Sequence, residues 1–237
     1  MNTFSSSEMC NVVPIRHGMP RALDALLAGA GIVLLLPLFV LVGAAVLVSS
    51  RGPILFRQER VGRDGLRFTV LKFRTMRVAT RGIQVTAKGD RRVTPIGRRL
   101  RQLKLDEIPE LWNVLRGDMS LVGPRPEVPN YVDLNNVSWR EVLQARPGIT
   151  DPVTLRLRNE EELMAGISGD RERFYLETLQ PYKLARYKEY LQRRSLGSDI
   201  GVILRTLLVV VIPAAAPPPS LAELRDESAT RDTSSQG

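Results

Sequence analysis

Two adjacent carboxylates, Asp106 and Glu107, stand immediately before Pro109 and the apolar run that begins at Leu111. This position predicts a helix start, where acidic side chains stabilise the positive end of the helix dipole and Asp106 can cap free backbone amides. The same helix start attracts phosphate, and an ionised carboxylate beside it can attack phosphorus once cations or a metal ion neutralise the repulsion. From these residues alone, capping and phosphoryl chemistry both remain open.

Basic residues elsewhere in the chain could supply those cations. Arg125 is held between Pro124 and Pro126, whose fixed backbone angles favour an extended presentation of the guanidinium toward an anion, although an ordinary rigid loop explains them equally well. Lys72 and Arg74 are two residues apart, so a strand would place both on one side.

The composition favours an anionic partner. The chain has 34 Lys and Arg against 25 Asp and Glu, a formal net charge of +9, which suits nucleic acid, anionic lipid or a phosphorylated substrate. The single cysteine, Cys10, excludes an intramolecular disulfide framework, and the single histidine, His17, argues against a histidine-based catalytic triad. A length of 237 residues fits one catalytic domain with a membrane attachment.

The segment 21–51 predicts a membrane helix, because it is almost wholly apolar apart from Asp24 and is longer than a span requires. Pro37 lies in its middle and predicts a kink. Arginines flank both ends. A bent helix that enters and leaves the cytoplasmic leaflet therefore satisfies the positive-inside tendency better than a through-going one, but a kinked ordinary span also remains open.

The elements after this segment predict an α+β, mostly helical fold. Two alternating runs around residues 62–65 indicate a short β-hairpin, and Thr94-Pro95 begins a basic amphipathic helix that either lies at the membrane interface or presents a solvated face. Further helices are predicted over 160–165 and 171–194, and a docked or interfacial apolar helix over 200–213. The predicted divisions are a flexible leader 1–20, the membrane helix 21–51, a catalytic domain 52–213 and a disordered tail 214–237.

The ordered series FRQERVG, LKFRTM, LDEIPELWNVLRGDMSLVGPRP and RPGIT resembles the small monotopic phosphoglycosyl transferases of the bacterial sugar transferase family. The resemblance implies an N-terminal re-entrant membrane helix with interfacial helices around a cytosolic catalytic core. It implies a catalytic Asp106-Glu107 dyad, and substrate binding by a further set of residues: Lys72, Arg74, Arg101, Pro124, Arg125 and Pro126. One departure is that PGIT continues as DPVTLRLRNEEEL rather than as a Gly-Trp-containing segment, so the sugar stays open.

The implied activity is transfer of a sugar-1-phosphate from a UDP-sugar to polyprenyl (undecaprenyl) phosphate, which initiates polysaccharide or glycoconjugate synthesis. Asp106 would form a covalent aspartyl-phosphosugar intermediate, Glu107 would hold Mg²⁺ or manage a proton, and both carboxylates are the predicted metal ligands. The expected location is the bacterial inner membrane, with the catalytic domain on its cytoplasmic face. Membrane lipids are expected partners, a homo-oligomer is possible and nucleic acid is not expected.

A noncatalytic membrane adaptor that binds anionic lipid or nucleic acid is the alternative. It would explain the positive charge and the apolar segment. It leaves the Asp-Glu and Pro-Arg-Pro motifs without a role.

Overall fold

A computed structural model describes residues 14–77 and 90–212. The predicted tail 214–237 and most of the predicted leader, with Cys10, lie outside these residues, while His17 is exposed within them. The described residues form a mostly helical fold with two small sheets. In chain order the elements are α1 (Arg21–Leu34), α2 (Leu36–Ser49), β1 (Leu55–Val61), β2 (Arg67–Phe73), α3 (Pro95–Gln102), α4 (Glu110–Arg116), β3 (Ser120–Val122), α5 (Val137–Val142), β4 (Gly148–Thr150), α6 (Pro152–Arg156), α7 (Glu160–Ala165), α8 (Arg171–Phe174), α9 (Gln180–Arg193) and α10 (Leu196–Val211).

The predicted membrane segment is a pair of helices, α1 and α2, bent by 63° at Leu35. Leu35 N still donates to the carbonyl of Gly31 at 2.9 Å, but Pro37 has no amide hydrogen to donate to the carbonyl of Val33, so the helix breaks there. The predicted kink is confirmed. Within residues 14–77 and 90–212, only this bent pair, and no single helix, has the length and apolar composition of a membrane span.

The first of these helices is fastened to the rest of the fold by a buried carboxylate. Asp24 is 2% exposed. One of its oxygens accepts a hydrogen bond from Ser120 Oγ at 2.8 Å, and the other accepts from the backbone amide of Leu121 at 2.9 Å. The single charge in the apolar segment therefore joins α1 to β3, while α1 also packs along α4.

A second buried carboxylate fastens the chain just before α1. Asp199, near the start of α10, is fully buried. Its carboxylate accepts from Met19 N at 2.7 Å, from Arg194 Nη2 at 2.7 Å and from the hydroxyl of Tyr190. The entry to the helix pair is thus held against the C-terminal helices.

The predicted β-hairpin is confirmed. β1 and β2 pair antiparallel, from Leu55 opposite Phe73 to Val61 opposite Arg67. The connecting turn contains Asp64 at φ 57° and Gly65 at φ 75°, the left-handed conformations that aspartate and glycine tolerate best.

A parallel pairing of β3 with β4 was not predicted from the sequence. Ser120 lies opposite Gly148, and Val122 lies opposite Thr150. Just beyond β3, the two backbone segments approach so closely that a Cβ on Gly148 would lie 2.1 Å from the backbone nitrogen of Gly123. This contact fixes the start of the Pro-Arg-Pro loop, 124–126, against the RPGIT motif.

The C-terminal helices enclose the main core. α8 continues through a π-helical turn, Tyr175–Leu179, into α9, so the helix predicted over 171–194 is present with a widened turn. α10 is docked, since Val202 and Val209 are buried against Val122. The main core contains mostly aromatic and aliphatic side chains, among them Tyr131, Trp139, Val142, Leu143, Met164, Leu179, Tyr182 and Tyr187.

Candidate active site

Helix α3 and a sharp chain reversal place the two candidate carboxylates. Thr94 caps α3 by accepting from Gly97 N at 2.9 Å, as the sequence predicts. The helix ends at Gln102, earlier than the apolar periodicity suggests, because Lys104 adopts the left-handed conformation at φ 57°. A 3₁₀ turn over Leu105–Glu107 follows.

Both carboxylates of this turn are buried, Asp106 at 7% and Glu107 at 8% exposure. Helix α4 starts only at Glu110, with Pro109 before it, so Asp106 does not stand at the capping position that the sequence left open. One Asp106 carboxylate oxygen, Oδ1, is buried and has no hydrogen-bond partner among the described residues. A buried carboxylate with an unpaired oxygen is suited to bind or attack an incoming group.

Glu107, in contrast, is surrounded by cations. Arg125 donates to it through both terminal nitrogens, Nη1 lying 3.3 Å from Oε2. Lys72 Nζ lies 2.9 Å from Glu107 Oε1 and 3.1 Å from Glu110 Oε1. Lys72 and Arg125 thereby bring β2 and the Pro-Arg-Pro loop to the turn that holds Asp106 and Glu107.

These contacts give the neighbouring acids opposite electrostatic behaviour. Burial, together with the charge of Glu107, raises the pKa of Asp106 above its ordinary value. Burial opposes ionisation of Glu107 as well, but Arg125 and Lys72 hold its pKa well below the ordinary value. Glu107 is therefore a fixed anion, whereas Asp106 is the more basic carboxylate.

The other predicted basic residues line the same cavity but have different partners. Arg101 donates through Nε to Thr75 Oγ1 at 2.9 Å and through Nη1 to Glu161 at 2.7 Å. Arg74 donates to the carbonyls of Ser50 and Arg51 at the end of α2, at 2.6 and 2.8 Å. Arg74 thus ties the bent helix pair to the hairpin.

The two prolines of the loop act through their carbonyl groups. The carbonyl of Pro124 accepts from Gly148 N at 2.9 Å, and that of Pro126 accepts from Arg60 Nη1 at 3.1 Å. The loop is thereby held from both sides, with Arg125 directed at Glu107.

One open cavity of about 2040 Å³ adjoins most of these groups, but Pro124 and Glu110 are not among its lining residues. It is large enough for a nucleotide sugar together with an acceptor headgroup. Its walls include predicted site residues and others: Lys72, Arg74, Arg101, Asp106, Glu107, Arg125, Pro126, Glu160, Tyr175, Lys183 and Tyr187.

Comparison with known proteins decides the family. The sequence model of the bacterial sugar transferase family matches residues 15–213. The chain belongs to the bacterial sugar transferase family. The resemblance drawn from the motifs is confirmed.

Several curated relatives in this family have names that describe an activity. A UDP-glucose:undecaprenyl-phosphate glucose-1-phosphate transferase of Caulobacter vibrioides is 40% identical over 192 residues, covering 79% of this chain and 67% of the relative. The exopolysaccharide production protein ExoY of Rhizobium meliloti is 32% identical over 230 residues, covering 88% and 92%. A UDP-N-acetylgalactosamine-undecaprenyl-phosphate N-acetylgalactosaminephosphotransferase of Aeromonas hydrophila is 31% identical, covering 84% of this chain and 45% of the relative.

Two residues of the candidate site, Glu110 and Tyr187, were not predicted from the sequence. Glu110 is 2% exposed and shares Lys72 with Glu107; its spacing of three residues from Glu107 was the signal that could have identified it. Tyr187, on α9, is buried with its hydroxyl at the backbone of Arg125. Only the tertiary fold brings Tyr187 there, so no local pattern could have revealed it.

The family resemblance implies a bound metal ion, and the side chains available as ligands indicate how it could be held. Among residues 14–77 and 90–212, no group of three or more His, Cys, Asp or Glu side chains is arranged to hold a metal ion. Mg²⁺ sites at phosphate substrates commonly use only one or two carboxylates together with phosphate oxygens and water. The unpaired oxygen of Asp106 fits that pattern, whereas both oxygens of Glu107 already accept hydrogen bonds from Arg125.

Proposed function

We propose that this chain transfers a sugar-1-phosphate from a UDP-sugar to undecaprenyl phosphate. The observation that carries the proposal is the buried Asp106, with an unpaired oxygen beside the cation-bound Glu107, in a cavity that fits a nucleotide sugar. The names of its relatives, which include glucose and N-acetylgalactosamine phosphotransferases, support the same reaction class. Because these names differ in the sugar, the proposal leaves the sugar open.

In the first step, a carboxylate oxygen of Asp106 attacks the sugar-proximal phosphorus of the donor. A bond forms between that oxygen and phosphorus, the bond from phosphorus to the bridging oxygen breaks, and UMP leaves with the electron pair. The raised pKa of Asp106 makes its ionised form a better nucleophile than an exposed aspartate.

In the second step, a phosphate oxygen of the lipid carrier attacks the same phosphorus. The bond between phosphorus and the Asp106 oxygen breaks, which regenerates the carboxylate and releases a polyprenyl diphosphosugar. The two displacements use one nucleophile and one set of phosphate-binding cations, so both substrates reach the same end of the cavity.

The cations of the site lower the cost of bringing an anionic nucleophile to an anionic phosphate. Arg125 and Lys72 neutralise Glu107 and Glu110 in the free enzyme, and both line the cavity. They are placed to share their remaining donors with substrate phosphate oxygens. Asp106 is the residue that would hold Mg²⁺ through its unpaired oxygen, whereas Glu107, the other predicted ligand, keeps both oxygens on Arg125 in the free enzyme. The ion would further neutralise the developing charge on the transferring phosphoryl group.

The bent helix pair provides the membrane attachment in this proposal. Several of its apolar side chains are largely exposed, Val33 at 75%, Leu34 at 79% and Val48 at 87%, and lipid is the environment that accepts them. A re-entrant arrangement places the catalytic turn beside the headgroups on the cytoplasmic face of the bacterial inner membrane, where an acceptor phosphate lies.

UMP release tests the reaction. The purified chain in nanodiscs, with undecaprenyl phosphate, Mg²⁺ and a panel of UDP-sugars, should release UMP with at least one donor. Multiple-turnover release should require the lipid carrier, because without it each enzyme molecule can release only the one UMP that accompanies adduct formation. Release should be lost in Asp106→Asn, whereas Asp133→Asn, the same change at an exposed position, should leave it intact. A chain that releases no UMP with any donor, or releases it equally in Asp106→Asn, would contradict the proposal.

A further inference from the structure

A network of charged and aromatic side chains, in which Lys183 and Tyr175 are buried and their partners are partly buried, lies in the cavity wall. It takes no part in the two displacement steps. Lys183 of α9 pairs with Glu160 of α7 at 2.7 Å, and its ammonium group lies 4.8 Å from the ring centre of Tyr175. The hydroxyl of Tyr175 donates to Glu127, which also pairs with Arg60 at 3.3 Å. Charged groups are rarely buried in a fold unless they serve structure or a ligand.

The network is joined to the catalytic machinery at both ends. At one end, Glu127 is two residues after Arg125, and its carbonyl accepts from Val61 N of the hairpin at 2.9 Å. At the other end, Glu161, the neighbour of Glu160, pairs with Arg101 at 2.7 Å. The network therefore spans the cavity from the Pro-Arg-Pro loop to α3.

Part of its hydrogen-bonding capacity is unused. Both oxygens of Glu127 are occupied within the network, because one accepts from Arg60 and the amide of Val128 and the other accepts from Tyr175. Both oxygens of Glu160 contact Lys183 Nζ, at 2.8 and 2.7 Å. Its side chain is nevertheless 30% exposed and lines the cavity, so each oxygen can accept a further hydrogen bond. The Tyr175 hydroxyl donates to Glu127, and its oxygen accepts from Lys183 Nζ at 3.5 Å, a long hydrogen bond that a ligand hydroxyl can replace.

The charge balance indicates a neutral, polyhydroxylated ligand. Glu127 and Glu160 are offset by Arg60 and Lys183, so the network carries no net charge and would not attract a phosphate. Carboxylate acceptors and an ammonium donor beside an aromatic ring are the groups that bind sugar hydroxyls. We propose that Glu160, Lys183 and Tyr175 bind the hydroxyl groups of the donor sugar and set which sugar is accepted, an inference that rests on the proposed function.

The test separates sugar contacts from nucleotide contacts. Glu160→Gln and Lys183→Met are made in the full chain and compared with wild type. The first readout is kcat/KM with UDP-glucose, UDP-galactose and their N-acetylated counterparts. The second readout is inhibition by UMP, which lacks the sugar. Equilibrium binding of the same UDP-sugars and UMP is measured without the lipid carrier on an Asp106→Asn background, which cannot form the covalent adduct. Glu177→Gln, an exposed residue outside the cavity, is the matched control, and thermal unfolding verifies that each variant is folded.

Loss of a charged hydrogen bond to a hydroxyl should lower kcat/KM and binding for the preferred donor by about tenfold to a hundredfold. The ratio of kcat/KM between epimeric sugars should move closer to one. Inhibition by UMP should stay within about twofold of wild type, and Glu177→Gln should match wild type in every measurement. An unchanged ranking of sugars, or an equal loss of UMP affinity, would overturn the inference. Absence of turnover in wild type would contradict the proposed reaction alone, because the binding comparison still reports the sugar contacts.

Discussion

Arg125 reaches Glu107 with both terminal nitrogens of its guanidinium, across a separation of eighteen residues. The pairing joins the Pro-Arg-Pro loop to the turn Leu105–Glu107. It also holds the pKa of Glu107 well below its ordinary value, although burial alone would raise it. Two motifs that are separate in the sequence are therefore one electrostatic unit.

Arg125→Lys should lower kcat by about tenfold to a hundredfold, because a lysine keeps the charge but cannot make the two-pronged contact. UMP-release kinetics measure the loss. Arg67→Lys, at an exposed pair with Glu59, is the control and should stay within about twofold of wild type. Equal activity of Arg125→Lys and wild type would remove the two-pronged contact from the mechanism.

Asp106→Asn should abolish covalent adduct formation, because an amide is not a nucleophile toward phosphorus. Intact-protein mass spectrometry after incubation with the donor, without lipid carrier, should detect a phosphosugar adduct on wild type only. Turnover should fall by about a thousandfold or more. An adduct of the same mass on the variant would place the nucleophile elsewhere.

Gly148→Ala should destabilise the fold and lower activity together. The added Cβ would lie 2.1 Å from the nitrogen of Gly123, so β3, β4 and the loop that carries Arg125 must separate, at a cost of about 1–3 kcal/mol. Gly201→Ala, where the added Cβ meets nothing within 4 Å, should instead be neutral or stabilising by about 0.5–1 kcal/mol. Thermal unfolding in detergent compares the two variants, and equal midpoints would contradict the close approach.

Removal of the Asp24 carboxylate should loosen the bent helix pair. Asp24→Ala leaves Ser120 Oγ and the amide of Leu121 without their acceptor, which costs about 1–3 kcal/mol, while Asp24→Asn retains one acceptor oxygen and should cost less. Thermal unfolding of the two variants in the same detergent gives the comparison. Identical midpoints for Asp24→Ala and wild type would show that the contact does not hold α1.

Pro37→Ala should allow the helix pair to straighten, since alanine restores the amide hydrogen that a regular helix donates from this position to the carbonyl of Val33. Cys10, the one cysteine in the sequence, reports the N-terminal side to a membrane-impermeant thiol reagent, and a Ser234→Cys substitution on a Cys10→Ser background reports the C-terminal side. In wild type both positions should label from the cytoplasmic side, and in Pro37→Ala a fraction should label from opposite sides. Opposite-side labelling of wild type would reject the re-entrant arrangement.

The parts of the fold that the sequence predicted are those with a local cause. The kink follows from the missing amide of Pro37, the hairpin from alternation around Asp64-Gly65, and the start of α3 from Thr94-Pro95. The end of α3 could not be predicted in the same way, because the left-handed residue after it is Lys104, which carries no glycine signal.

The parts that escaped prediction depend on contacts between distant segments. β3 and β4 are three residues each and pair across about twenty-five intervening residues, too short for a periodic signal. The carboxylate dyad and its cations were identified by motif. Glu160 and Tyr175 enter the cavity only because α7 and the π-helical turn fold back over it.

The burial of Asp24 links the biogenesis of this protein to its folding. A ribosome completes α1 long before it reaches Ser120, so the nascent helix meets the bilayer with a bare carboxylate, whose partition into the apolar core costs up to roughly 3 kcal/mol. The cost disappears once β3 supplies the hydroxyl and amide that bind this carboxylate. In the proposed membrane arrangement, the helix pair should therefore bind the bilayer more weakly until β3 is made. Chains truncated before β3 should partition less completely into membranes than the full chain.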